Sequence, residues 1–172
     1  MRLRADDLGV ISWWIDAAYA VHEDCKGQTG AMMSLGEGGV LSGSWKQKIQ
    51  GRSSTENELI GVHDLLPKVL WSKFFIEAQG YQVEQNIVNQ DNKSAILLET
   101  NGFASSSNRT KHIKARYYYI KDCVARGDVQ IEHCPTERMW CDVITKPKQG
   151  LAFRTDRARL MGCAVDWTNG SP

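Results

Sequence analysis

A carboxylate embedded in an apolar strand pattern is the feature that most narrows what this chain can fold into. Residues 10–21, VISWWIDAAYAV, are rich in Val, Ile, Trp and Tyr and read as a β-strand with Asp16 inside it. A carboxylate in that setting is costly unless something cationic offsets its desolvation. Strand alternation puts Asp16 on the same face as Trp14 and Ala18. Two readings fit: an ion pair with Arg or Lys, or a ligand of a divalent metal. Three more acids stand in quite different settings, Glu58 in SSTENELIGV, Asp91 at the end of IVNQ and Asp142 in TERMWCDVITKP. Carboxylates scattered this way meet only if the fold brings them together. Two divalent ions at such a meeting point would make phosphoryl transfer the leading chemistry.

The order of elements follows from pattern and punctuation. After the first strand, HEDCKGQTG turns the chain; a second strand lies near Thr29–Leu35, and GEGG is a hairpin signal leading to a third near Val40–Ile49. Three consecutive strands with short turns predict an antiparallel meander. The period then becomes helical. Ser53 and Glu56 have capping-box spacing, and Leu59, Val62, Leu65 and Leu66 continue a helix to Pro67, which is expected to kink it or begin a second piece ending at Gly80. A short strand, QNIVNQ, precedes Asp91; a helix carrying SAILLE stops near Asn101-Gly102. A Ser-rich loop, a basic aromatic helix (KHIKARYYYIKDCVARG), a strand (DVQIEH) and the Cys134-Pro135 break follow, and a last helix holds Asp142 and ends before Pro147. The expected organisation is an N-terminal extension over 1–9, one α/β domain over 10–147 and a loosely attached tail over 148–172. Its sheet is mixed, with later strands returning through helical crossovers. Asp91 falls at the carboxyl end of its strand, where open α/β sheets place ligand sites.

Each acid has a plainer alternative. Asp91 has the sequence of a helix N-cap. Glu56 and Glu58 compete within one turn: the capping box accounts for Glu56 and Glu58 is nearer the apolar stripe at ~100° per residue, but periodicity alone leaves the choice between them nearly open. Asp142 reads equally well as a solvated helix carboxylate.

Composition excludes several classes. A chain of 172 residues with 42% apolar and 24% charged residues suits one domain with a sizeable core. Its formal charge of +1 provides no global attraction to nucleic acid, so binding would need a local patch. Five cysteines without a CxxC pair argue against a secreted disulfide framework and for a reducing compartment. The start, MRLRADDLGV, lacks a signal-peptide core and no apolar run is long enough to span a bilayer, so a cytoplasmic, membrane-free protein is expected.

WIDAAYAVHEDCKGQTG, GSWKQK, SSTENELIGV, QDNKSAILLE, SNRTKHIKARYYYIKD and HCPTERMWCDVITKP, in this order, resemble the ribonuclease H domain of copia-type LTR retrotransposon Pol polyproteins. The likeness runs from about Trp13 to Phe153. It implies an RNase H-like fold: a five-stranded mixed sheet, three strands antiparallel and then two parallel, flanked by helices. It implies that Asp16, Glu58, Asp91 and Asp142 are the catalytic, metal-binding acids. In the wider family the first bridges two ions, the second and third hold one of them and the last holds the other. Hard carboxylate oxygens select Mg²⁺, with Mn²⁺ a possible substitute, and two such ions ~4 Å apart hydrolyse a phosphodiester by in-line attack. The implied activity is endonucleolytic cleavage of the RNA strand of RNA–DNA hybrids, leaving 5′-phosphate and 3′-hydroxyl ends. No YxDD-type polymerase motif occurs, so a reverse transcriptase domain, the implied partner, lies elsewhere in the polyprotein, and the implied setting is a cytoplasmic retroelement particle. The sequence departs from the family pattern at Trp140, Cys141 and Lys148, and His133 is given no product-release role.

Nucleic-acid contacts are expected from two regions. Residues 108–126 hold six basic side chains and one acid, a net +5 that leaves −4 for the rest. Arg109, Lys111, Lys114 and Arg116, interleaved with tyrosines, suit a phosphate-tracking stripe, although a solvated helix face explains some of them. Ser54 and Thr55, before Glu58, and Asn92, after Asp91, are candidate donors to phosphate or a 2′-hydroxyl. Two rival readings stand beside the enzyme. An integrase or transposase on this fold usually carries three acids, the last a Glu, which Glu58 and Asp142 speak against. A decayed or domesticated copy would bind hybrid or a partner without cutting.

Overall fold

A computed structural model describes residues 1–101 and 111–163, without the side chains of Leu98, Asn101 and residues 111–114. The elements run in the order β1 (Arg4–Ala5), β2 (Val10–Ala18), β3 (Gln28–Ser34), β4 (Gly36–Glu37), β5 (Leu41–Lys46), α1 (Ser54–Ala78), β6 (Gln85–Gln90), α2 (Lys93–Asn101), α3 (Lys111–Ala125), β7 (Gln130–His133), a 3-10 turn (Thr136–Arg138), α4 (Asp142–Thr145) and α5 (Gly150–Leu160). Five strands form one sheet in the order β5-β3-β2-β6-β7. The meander pairs antiparallel, β2 with β3 and β3 with β5, while β6 lies parallel to β2 and β7 parallel to β6. The mixed sheet expected from the sequence is therefore present.

Alternation along β2 sends its side chains to two different cores. Ile11, Trp13 and Ile15 join Leu59, Val62, Leu66 and Val69 of α1 and Tyr117 and Ile120 of α3 in the main cluster. Trp14 points the other way, into a second cluster with Met32, Cys134, Met139 and Cys141, where Leu160 of α5 also packs. Asp16 shares that second face.

Helix α1 starts as the capping box predicts: the Ser53 side chain accepts from the Glu56 N–H at 3.2 Å, while Glu56 Oε2 accepts from the Arg52 N–H at 2.7 Å. Buried polar groups then pin its first turns to the sheet. Gln47 donates to Thr29 Oγ1 at 3.0 Å and to the Asn57 carbonyl at 2.8 Å. Gly80, at φ 91°, ends the helix in the left-handed region as expected.

Four expectations are corrected. The first and third strands stop earlier, at Ala18 and Lys46. Pro67 does not begin a second helix: α1 runs through it as one element, with Leu65, Leu66 and Val69 buried in the core on either side. The helix holding Asp142 ends before Pro147 as expected, but α4 is a single turn and not the last helix, since α5 follows it. The presumed tail holds α5, whose Asp156 is buried, and its last residues meet the N-terminal segment: the Arg2 N–H donates to the Met161 carbonyl at 2.7 Å and the Gly39 N–H to the Leu160 carbonyl at 2.8 Å. Arg109, the Ser-rich loop and residues 164–172 lie outside the described residues.

Candidate active site

The parallel ladder between β2 and β6 ends at the Trp14–Asn89 pair, so Asp16 and Asp91, each two residues further on, stand past the paired region at the carboxyl ends of adjacent strands. Asp91 is free for this position because its neighbour takes the capping role. Asn92 Oδ1 accepts from the N–H groups of Ser94 and Ala95 at 3.0 and 3.1 Å. Glu58, one turn into α1 and buried, comes down from the helix layer, whereas Glu56 stays at the cap. Carboxylate oxygens of Asp16, Glu58 and Asp91 lie within 4.8 Å of one another.

Gln90 organises two of the three. Fully buried, it donates from Nε2 to Glu58 Oε2 at 3.3 Å and accepts at Oε1 from the Asp91 N–H at 2.9 Å. Thr136 Oγ1 donates to Asp91 Oδ2 at 3.1 Å.

Asp142 is buried, not the surface acid its local sequence allowed. Its position is set by contacts far away in sequence. Trp14 and Trp140 stack with centroids 4.3 Å apart and planes at 9°. Ser44 Oγ donates to the Ile144 carbonyl at 2.6 Å. Gly30, the β3 partner of Asp16, leaves the space α4 occupies: a Cβ there would clash with Thr145 Cγ2 and stand 3.0 Å from Ile144 Cγ1. Gly30→Ala is therefore expected to destabilise the protein by about 1–3 kcal/mol through overpacking, measured as a lowered midpoint in urea unfolding; an unchanged midpoint would show that α4 is free to move away.

The charges are unevenly balanced. Lys146 Nζ lies 2.8 Å from Asp142 Oδ1 and 3.2 Å from Asp16 Oδ1, and Lys148 Nζ lies 3.2 Å from Asp142 Oδ2 and 2.6 Å from Asp156. Thr145 Oγ1 donates to Asp16 Oδ2. No described cation makes a salt bridge to Glu58 or Asp91. Burial, and then the negative charges of Asp16 and Asp91, push the Glu58 carboxyl well above the usual carboxylate range. Burial also raises Asp16, against the opposing effects of Thr145 and Lys146. Lys146 is held in its charged form: burial works against the charge, but the carboxylates of Asp142 and Asp16 outweigh it. Three crowded carboxylates without a full complement of cations suit a divalent metal, and an all-oxygen donor set suits Mg²⁺ or Mn²⁺.

The nucleic-acid candidates separate into two groups. Thr55 and Asn92 meet at the mouth of the site, where Asn92 Nδ2 donates to Thr55 Oγ1 at 3.4 Å, and Ser54 is exposed beside them. Arg116 lies on α3, half-buried, next to Tyr117, which faces the core. Lys111 and Lys114 lie on the first turn of α3, their side chains outside the described residues. Sequence reasoning missed Gln90, Thr145 and Lys146. The i, i+4 spacing of Asp142 and Lys146 was a usable sign of their pairing, and inward alternation along β6 pointed to Gln90.

These features define the class: a five-stranded mixed sheet with acids gathered at the ends of its two central strands is the ribonuclease H fold. Among solved structures it resembles LC11-RNase H1, isolated from compost by a metagenomic approach, at a TM-score of 0.58 and 14% identity over 79% of this chain and 92% of that one. The same enzyme in complex with an RNA/DNA hybrid aligns at a TM-score of 0.54 and 13% identity over 78% of this chain and 92% of that one. No family model matches the chain. Its sequence relatives are retrovirus-related Pol polyproteins of plant transposons: TNT 1-94 of Nicotiana tabacum, 30% identical over 124 residues and 70% of this chain, and RE2 of Arabidopsis thaliana, 30% identical over 133 residues and 77% of this chain. The chain spans 9% of the length of each. It is homologous to a segment of these polyproteins, and fold and sequence together match the ribonuclease H domain of a copia-type Pol. No helix among the described residues is long and apolar enough to cross a membrane.

Proposed function

We propose that this chain is a metal-dependent endoribonuclease that cuts the RNA strand of RNA–DNA hybrids during retroelement reverse transcription. The observation that carries the reading is the convergence of Asp16, Glu58 and Asp91 from three separate elements, with Asp142 linked to Asp16 through Lys146. In this reading Asp16, Glu58, Asp91 and Asp142 would hold two Mg²⁺ ions, which would supply activation of a water and stabilisation of the leaving 3′-oxygen. Gln90 keeps Glu58 and Asp91 aimed at one point, and Thr145 orients Asp16. Ser54, Thr55 and Asn92 offer polar contacts to the hybrid where it enters, and the basic side chains of α3, with Arg109 before it, track a phosphate backbone. A reverse transcriptase domain of the same polyprotein is the partner. Covalent attachment would supply the substrate concentration that a nearly neutral domain does not attract by charge. The working location is a cytoplasmic retroelement particle.

A labelled RNA–DNA hybrid incubated with Mg²⁺ tests this. The wild-type chain is expected to release RNA fragments with 5′-phosphate ends, and Asp16→Asn to lower the rate by ~10³-fold or more, since a metal contributes several kcal/mol to the barrier. Equal cleavage by the variant would refute the assignment. Hybrid binding without cleavage by the wild type would support the second reading, a domesticated module that binds without cutting. The engagement of both Asp142 oxygens by lysines is the observation in its favour.

A further inference from the structure

The two lysines near the acids are not equivalent, and their difference has a chemical meaning. Lys148 is fixed: it bridges Asp142 to the buried Asp156, which Arg159 also meets at 3.5 Å. Among the described residues, the Lys146 ammonium is held only by the two acids themselves. It lies between Asp16 Oδ1 and Asp142 Oδ1, and the Lys146 side chain is 41% exposed, so the same chain of methylenes can swing into solvent. The three acids that close on a common point are Asp16, Glu58 and Asp91; Asp142 is not in that group. The site thus divides into a cluster ready for one cation and an Asp16–Asp142 pair already bridged by another.

We propose that Lys146 is a built-in counter-ion at the second cation position, so that the chain binds one divalent ion readily and admits a second only by displacing the Lys146 ammonium from Asp16 and Asp142. The proposal rests on the reading of Asp16, Glu58 and Asp91 as metal ligands. A monovalent ammonium neutralises the pair in the resting state, and a divalent ion entering there must overcome both the loss of those contacts and repulsion from Nζ while it remains nearby. Exposure of the side chain makes displacement feasible, and the anchoring of Lys148 explains why Lys146, not Lys148, is the one that leaves.

Titration with Mn²⁺, followed by calorimetry and by electron paramagnetic resonance, tests this without any substrate. Wild type is expected to bind one ion, lost in Asp91→Asn, and a second much more weakly. Lys146→Met and Lys146→Gln are both expected to bind the second ion ~10-fold or more tightly than wild type, with the exchange-coupled signal of paired ions appearing at lower Mn²⁺ concentration. Lys146→Arg, which keeps the charge, is expected to stay near wild type. Equal second-ion affinity in wild type and both neutral variants overturns the proposal while leaving the first site intact. Absence of any ion sensitive to Asp91→Asn overturns it together with the metal-ligand reading beneath it.

Discussion

Exchanging Glu58 for Gln is expected to abolish cleavage and, at neutral pH, to make the protein harder to unfold. Both effects come from the same placement. Glu58 is buried among Asp16 and Asp91, and burial together with those charges raises its carboxyl well above the usual range. A carboxyl raised in the folded state contributes no destabilisation at low pH. As pH climbs past its unfolded value, the unfolded chain ionises freely while the folded one resists, and stability falls. Gln keeps the shape and removes that penalty. The gain of Glu58→Gln should therefore be absent near pH 4 and grow toward neutrality, reaching ~0.5–2 kcal/mol, the usual scale when an active-site strain is relieved. Cleavage of a labelled hybrid should fall ~10³-fold through loss of a metal ligand. Thermal melts across pH, set beside a cleavage assay, check both; a variant that is destabilised at neutral pH, or that still cuts, contradicts the assignment.

Glu99 predicts a larger stability effect away from the site. It is fully buried on α2, and among the described residues neither of its oxygens has a hydrogen-bond partner. Burial alone pushes its carboxyl up to about 8. Wild-type stability should therefore be highest below the ordinary Glu range and be lost as pH rises from there to about 8. At 1.36 kcal/mol per pH unit, the loss is on the order of 5 kcal/mol. Glu99→Gln should erase that slope. The difference in melting temperature between variant and wild type, near zero at pH 4, should reach roughly 10 °C by pH 9. Parallel pH profiles would mean that Glu99 keeps its charge in the folded state through a cationic partner.

The parts of the fold that sequence made legible are those governed by local rules. Alternation identified β2 and the face of Asp16, capping-box spacing placed the start of α1 at Ser53, and the end of QNIVNQ put Asp91 at a strand terminus. Periodicity left Glu56 and Glu58 nearly level and the family motif chose Glu58; the structure ties Glu56 to the cap and buries Glu58. Local pattern was less informative where neighbours in space decide. Asp91 looked like an N-cap because its own sequence suits one, and only the geometry of α2 hands that role to Asn92. Asp142 looked like a solvated helix acid because the Trp14–Trp140 stack, the gap at Gly30 and the bond from Ser44 all come from residues about 100 or more positions earlier. The C-terminal segment looked loose because α5 has a largely polar surface and is anchored by a few buried charges rather than by an apolar stripe.

That anchoring turns α5 into a remote handle on the site. Arg159, Asp156, Lys148 and Asp142 form an unbroken file of alternating charges, from the partly exposed α5 to an acid of the proposed metal centre. Shortening the chain after Pro147 would sever the file at its middle, leaving Asp142 with Lys146 alone. The packed structure does not stop at the span that carries the four acids: it continues to Met161, whose carbonyl accepts from the Arg2 N–H and draws both ends of the described chain together. Events that loosen this far end, whether an engineered boundary or a partner that pulls α5 away, would remove the Lys148 contact from Asp142 without touching the acids themselves.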